Sequence, residues 1–155
     1  MYESYAHLII SVKAYIIFPV MPRTEKPYAL DLLFRALADP TRLRLLNLAA
    51  DREICVCYFV EILGISQPKI SRHLAYLRRA KIVAARRQGR WMHYRVVTPQ
   101  DAAAASILKE TLTHLRQKPK MRRELARLDS ACCRPGKFEL PNKAPQPSIV
   151  HIELA

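Results

Sequence analysis

Apolar and polar positions alternate along this chain with helical periods broken at defined points. Leu30, Leu33, Phe34 and Leu37 recur at helical spacing and predict an amphipathic helix over about 27–38. Asp39 offers an N-cap and Pro40 a first-turn residue, so a second helix begins there and runs through "TRLRLLNLAA". Residues 56–63 form a short apolar run, Gly64 supplies a permissive turn, and Ser66 with Pro68 marks another helix start. In that next helix Ile70, Leu74 and Leu77 share one face. The prediction is helix, tight turn, helix, with a buried stripe anchoring the second helix and a polar surface left free.

Beyond Lys81 the period changes. In "IVAARRQGRWMHYRV" Trp91, His93 and Arg95 fall on one side and Met92, Tyr94 and Val96 on the other, with Gln88 and Gly89 where a hairpin must reverse. Thr98 and Pro99 then begin a further helix, with Asp101 in a capping-box-like position and Leu108, Leu112 and Leu115 on one face. Pro119 interrupts it. Met121, Leu125, Leu128 and Cys132 follow at helical spacing, so a last amphipathic helix ends in Cys132 and Cys133, and the proline-bearing stretch from Arg134 onward predicts a flexible tail.

Charge changes this picture from a fold to a function class. Twenty-six Lys and Arg face thirteen Asp and Glu, a formal net charge of +13, which favours an acidic partner such as nucleic acid or an anionic membrane. Between Glu61 and Asp101 there is no acidic residue, yet Lys69, Arg72, Arg78, Arg79, Lys81, Arg86, Arg87, Arg90 and Arg95 lie there. The positive charge is therefore concentrated on the helix pair and the hairpin. The apolar stretch "HLIISVKAYIIFPV" is interrupted by Lys13 and ended by Pro19, too short to span a bilayer. Met21 reads as a natural start, so residues 1–20 are open to reading as an extension, a mis-assigned start or a docking helix.

A helix pair of this kind places its second helix in the major groove of DNA, where N-terminal side chains meet base edges and flanking basic groups hold phosphates. Gln67 and Ser71 have the donors and acceptors for bases, Lys69 and Arg72 for phosphates or guanine, and His73 for a phosphate or backbone hydrogen bond. Arg86, Arg87 and Arg90 would grip the adjacent backbone from the tip of the hairpin.

Three strings carry a resemblance: "LFRALADPTRLRLLNLA", "EICVCYFVEILGISQPKISRHLAYLRRAKIV" and "RRQGRWMHYRV". Together, from about Leu30 to Leu115, they resemble the ArsR/SmtB family of metal-sensing winged-helix repressors, and "EICVC" before "SQPKISRHL" is similar to its arsenic- and antimony-responsive branch. The resemblance implies a homodimer that sits on operator DNA and leaves when As(III) or Sb(III) binds. It places the DNA-contacting helix at Ser66 to Ala80 and the wing at Ile82 to Val96. The branch typically carries a third cysteine where this chain has Val60. Zinc-binding members use carboxylate and histidine ligands on a C-terminal helix, but Asp101 is followed here by Ala102 and Ala103, and His114 has no companion.

Trivalent arsenic prefers three thiolates, so Cys55 and Cys57 are one short and Cys132 or Cys133 is the candidate for the third. On an ideal helix residues i and i+2 point roughly 200° apart. Coordination by Cys55 and Cys57 is thus expected to unwind the turn that bears them, which would remodel the support of the DNA-reading helix. The competing readings are a thiol redox switch and a soft divalent sensor for cadmium or lead. An enzyme is not expected: neither Cys55 nor Cys57 has the short-spaced arginine, glycine-rich loop or general acid of a thiol phosphatase or reductase.

The expectation is a mainly α (α+β) winged helix-turn-helix with a two-stranded β wing, homodimeric and cytoplasmic, with no membrane association and no organic cofactor. Residues 1–26 are an N-terminal extension, 27–118 the DNA-binding and dimerisation domain, 119–133 the helix ending in the Cys pair, and 134–155 the tail. Its partner is double-stranded operator DNA with an imperfect inverted repeat.

Overall fold

The computed structural model describes residues 28–150 of the 155. The N-terminal apolar run lies outside the described residues, as do 151–155. Helix α1 (Leu30–Leu37) and helix α2 (Pro40–Ala49) meet at Asp39, whose carboxylate accepts the Arg42 N–H at 2.9 Å while Pro40 fills the first turn. Arg42 reaches back from α2 and donates from Nε to the Ala36 carbonyl at 2.7 Å, satisfying one of the orphan carbonyls at the end of α1.

Strand β1 (Arg52–Cys55) leads directly into helix α3 (Val56–Leu63), and Gly64 closes that helix at φ +64°. Helix α4 (Gln67–Arg79) follows, anchored by buried Ile70, Leu74 and Leu77 as its periodicity predicts. Burying each such side chain stabilises the fold by about 1.5–3 kcal/mol. Strands β2 (Val83–Gln88) and β3 (Trp91–Val96) form the hairpin. Gln88 pairs with Trp91, so the reversal falls on Gly89 and Arg90, one residue beyond the predicted Gln88 and Gly89. Gly89, at φ +58°, takes the first central position, where a two-residue hairpin turn needs a positive φ.

Helix α5 (Ala102–Gln117) starts three residues later than Thr98 and Pro99 suggest. Asp101 itself is the N-cap and accepts the Ala104 N–H at 2.8 Å. Helix α6 (Pro119–Cys133) buries Met121, Glu124, Leu128 and Ala131, leaving Leu125 and Cys132 half-buried. The buried stripe is rotated from the predicted one because α2 presents polar groups to α6. Arg44 contacts Glu124 Oε1 at 2.7 Å, and Asn47 donates to the Met121 carbonyl at 3.2 Å.

The segment after Arg134 corrects the expectation of a flexible tail over its described length. A 3-10 turn (Pro135–Lys137) leads to Phe138, Leu140 and Ala144, which pack against the core, and strand β4 (Ser148–Ile149) pairs antiparallel with β1. Two of the prolines that argued for disorder instead open turns: Pro135 begins the 3-10 turn, and the Pro141 carbonyl accepts the Ala144 N–H at 3.0 Å. The sheet order is β2-β3-β1-β4. No described helix is long and apolar enough to cross a membrane.

Candidate nucleic-acid interface and thiol site

Helix α4 presents Gln67, Lys69, Ser71 and Arg72 to solvent from its first two turns, because the buried stripe at Ile70, Leu74 and Leu77 turns the opposite face inward. His73 is half-buried beside them: its Nδ1 lies 3.4 Å from Asp39 Oδ1, tying α4 to the cap of α2. Arg42, Lys69, Arg72, His73 and Tyr76 together line a concavity of about 350 Å³. The Arg42 guanidinium stands over the exposed Tyr76 ring at 5.0 Å from its centroid. Neither Arg42 nor Tyr76 was among the DNA-contacting residues expected from sequence. Tyr76 was detectable as a large aromatic on a polar helix face, whereas nothing local to Arg42 signals that it crosses to another helix.

On the hairpin the three arginines separate. Arg87 donates from Nε to the Gly89 carbonyl at 2.9 Å. Arg90 stacks its guanidinium 4.7 Å from the Trp91 ring centroid and donates to the Asn142 carbonyl at 3.1 Å. Both belong to the tip. Arg86 does not: it lies on the sheet face and forks onto the Glu53 carboxylate, Nε to Oε1 at 2.9 Å and Nη2 to Oε2 at 3.2 Å. That hydrogen-bonded guanidinium holds the Glu53 carboxyl below its ordinary range. Arg86 thus fastens the hairpin to β1, two residues from Cys55, and its guanidinium is engaged within the chain.

His93, opposite Cys55 in the β1–β3 register, is buried and its Nε2 has no hydrogen-bond partner among the described residues. Burial lowers the pKa of its imidazole.

Cys55 is not helical. It ends β1 with φ −65° and ψ 143° and serves as the N-cap of α3, while Cys57 sits in the first turn. The kink from extended to helical backbone swings both side chains to one side, and the Cys57 thiol donates to the Cys55 sulfur across 2.8 Å. The expectation that the two thiols diverge by a helical half-turn is therefore corrected: no unwinding is needed to bring them together. Both are buried. Hydrogen bonds from the Cys57 thiol and from the Cys57 backbone outweigh burial at Cys55 and lower its pKa to about 7 from an ordinary 9.0. Sharing its proton with Cys55, together with burial, pushes the Cys57 thiol up.

Cys132 is half-buried and Cys133 exposed at the end of α6. Burial raises the Cys132 thiol pKa. The buried Tyr58 phenol, pushed up to about 12, is within electrostatic reach of Cys132 as well as of Cys57 and Cys55. Among the described residues no three His, Cys, Asp or Glu side chains converge tightly enough to hold one ion. Within one chain Cys132 and Cys133 are not gathered with Cys55 and Cys57. Asp101 caps α5, and His114 is exposed in its last turn.

The sequence matches a family model described as "Bacterial regulatory protein, arsR family" over residues 39–85, which runs from the Asp39 cap through α4 into β2. An arsenical resistance operon repressor of Escherichia coli (strain K12) is 48% identical over 79 residues, covering 50% of this chain and 68% of that protein. An arsenic resistance transcriptional regulator of Pseudomonas putida is 52% identical over 66 residues, covering 42% of this chain and about half, 52%, of its own length. Among solved structures, HlyU from Vibrio cholerae superposes with a TM-score of 0.48 at 27% identity, over 57% of this chain and 88% of that one. The chain belongs to the arsR family of bacterial regulatory proteins, and is a DNA-binding transcriptional regulator rather than an enzyme.

Proposed function

We propose that the chain is an As(III)- or Sb(III)-responsive repressor that binds an imperfect inverted-repeat operator as a homodimer and releases it when cysteine thiolates coordinate the metalloid. One observation carries this reading: Cys55 and Cys57 place their sulfurs 2.8 Å apart at the start of the first helix of the helix-turn-helix, with the Cys55 thiol pKa lowered to about 7, where a substantial fraction is thiolate at neutral pH. Two soft ligands preassembled on that helix suit a thiophilic ion. The names of the Escherichia coli and Pseudomonas putida relatives support the metalloid over other inducers.

In this reading Gln67, Lys69, Ser71 and Arg72 meet the major groove and Arg87 and Arg90 the flanking backbone, while His73 and Arg86 hold their elements in place through Asp39 and Glu53. Affinity for the operator falls steeply with salt. Coordination would pull on the junction of β1 and α3, and α3 passes that displacement through Gly64 to α4. The coupling is a free-energy difference between DNA-competent and DNA-incompetent dimers. The third ligand is Cys132 or Cys133, from the same subunit after rearrangement or from its partner. The exposed Phe34 on α1 supports an apolar contact with a second subunit. A reducing cytoplasm keeps all four thiols available as ligands.

The thiol geometry also favours a second reading, in which Cys55 and Cys57 respond to oxidant without a metalloid. The test measures As(III) binding and operator release for wild type, Cys55→Ser/Cys57→Ser and Cys132→Ser/Cys133→Ser, each with a peroxide arm. Loss of arsenical-induced release in both double mutants supports a composite site. Loss in the first alone makes Cys55 and Cys57 sufficient. Release by peroxide alone, with no response to As(III), overturns the metalloid reading in favour of the redox one.

A further inference from the structure

The helix-turn-helix and hairpin leave one strongly basic element without a role. Between residues 116 and 127 stand Arg116, Lys118, Lys120, Arg122, Arg123 and Arg127 against a single acidic residue, Glu124. Glu124 does not offset that charge at the surface: its side chain is buried against Arg44 at 2.7 Å. The other nearby carboxylates are engaged: Glu61 pairs with Arg127 at 3.3 Å, Asp51 with Arg116 at 2.5 Å and Asp129 with Arg52 at 2.7 Å. Lys120 and Arg123 are exposed and make no hydrogen bond or ion pair with any described residue.

The position of this charge in the fold narrows its partner. Lys120, Arg123 and Arg127 share a groove of about 390 Å³ with Leu63 and Gly64, the end of α3 and the turn that leads into α4. On the other side of Gly64 the same Arg127 borders a second groove with Ser66, the N-cap of α4, where Glu61 and Glu139 balance Arg127 and Lys137, so the uncompensated charge lies on the Lys120 and Arg123 side. A helix that inserts its N-terminal side chains into a major groove brings the turn preceding it over the phosphates at the groove's edge. The basic face of α6 continues outward from that turn.

We propose that α6, outside the segment matched by the family model, presents a second phosphate-backbone surface through Lys120 and Arg123, which extends each subunit's contact onto duplex DNA flanking the half-site. This rests on the reading that the chain binds operator DNA. Phosphate contacts carry no sequence information, so the surface lengthens the footprint and steepens the salt dependence without changing which bases are read.

The test uses the full chain and a duplex that the wild-type protein selects from a random-core pool, prepared as the bare core and with arms one helical turn long on each side. Dissociation constants are measured by fluorescence anisotropy over a salt series for wild type, Lys120→Gln/Arg123→Gln, and Lys69→Gln as a control within α4. Thermal melting verifies that each variant is folded. On the armed duplex the α6 double variant should lower the slope of log affinity against log salt by roughly 2 per subunit, about 0.9 for each phosphate that is no longer neutralised. On the bare core its slope should equal that of wild type. Lys69→Gln should lower the slope on both. Equal slopes for wild type and the α6 variant on the armed duplex overturn the proposal. So does an equal reduction on both lengths, which reports a change in the overall field and not a flanking contact. Failure of wild type to select or bind any duplex is a different result and brings down the operator reading itself.

Discussion

Helix α4 and the corner where β1 enters α3 are separated by one short helix and one glycine turn, yet they are built on opposite plans. Helix α4 buries three apolar anchors and exposes the polar side chains of its first turns, so the reading surface is complete in the isolated chain. The β1–α3 corner hides both thiols; the start of its strand is held by Glu53–Arg86 and β4, and its end by β3. In the proposed function this contrast is where regulation acts: the DNA-facing side needs no ligand to be assembled, the thiols are reached by opening the corner, and a ligand that offsets that opening would bias the position of α3 and through it the seating of α4.

The anchors of α4 give the largest expected effect. Leu74 is 1% exposed, and Leu74→Ala removes its packing and leaves a cavity, for a cost of about 2–5 kcal/mol. Urea unfolding should show the loss, with operator affinity falling in step because α4 loses its seat. A loss well below 2 kcal/mol would mean that α4 is less firmly docked than its burial indicates, and the contrast with the corner would dissolve.

The next effect concerns the corner itself. Thiolate absorbance should rise in a step near pH 7 in wild type, and Cys57→Ala should move that step upward, because burial then acts on Cys55 with only the backbone hydrogen bond of residue 57 opposing it. The stability consequence has a definite sign. Between about 7 and 9 the folded chain has released the Cys55 proton while the unfolded chain still holds it, so stability rises with pH. Above 9 the unfolded chain also ionises Cys57, which the fold keeps protonated, so stability falls again. A single step with the ordinary thiol midpoint in wild type would show that the two sulfurs do not share a proton.

Helix α4 and its surroundings were readable from sequence because local rules agreed there. Asp39 and Pro40 mark a cap, Gly64 a turn, and Ile70, Leu74 and Leu77 a buried face, and each is found in that role. The corner was not readable in the same way. The run from Val56 is apolar and helical, and nothing in the periodicity says that Cys55 lies one residue before it on a strand paired through His93. Long-range pairings were likewise invisible: Arg86 with Glu53, His73 with Asp39, Arg44 with Glu124 and β4 with β1 join residues whose partners no local pattern specifies. The composition of the tail concealed Phe138 and Leu140 as anchors because proline counts outweigh two apolar residues in such a reading.

A smaller effect isolates reading from folding. Gln67 is exposed at the start of α4, so Gln67→Ala should leave the unfolding free energy within about 0.5 kcal/mol of wild type. Operator affinity should drop by about 1–3 kcal/mol, with the loss confined to one base position in each half-site. A uniform loss across operator variants would move Gln67 from base reading to backbone contact.

The smallest effect tests the glycine that joins the two regions. Gly64 closes α3 at φ +64°, and a Cβ added there would meet nothing within 4 Å. Gly64→Ala should therefore be destabilising only through its backbone, by about 1–2 kcal/mol, the cost of holding a side-chain-bearing residue in the left-handed region. Gly64→Asn should cost less, since asparagine visits that region more readily. Equal losses for Ala and Asn in thermal and urea unfolding would show that contact, not backbone conformation, selects glycine here. If the Ala variant keeps wild-type operator affinity when folded, the turn only shapes the path from α3 to α4. If it also loses arsenical-induced release while still binding As(III), the left-handed turn is the joint through which the corner moves the reading helix.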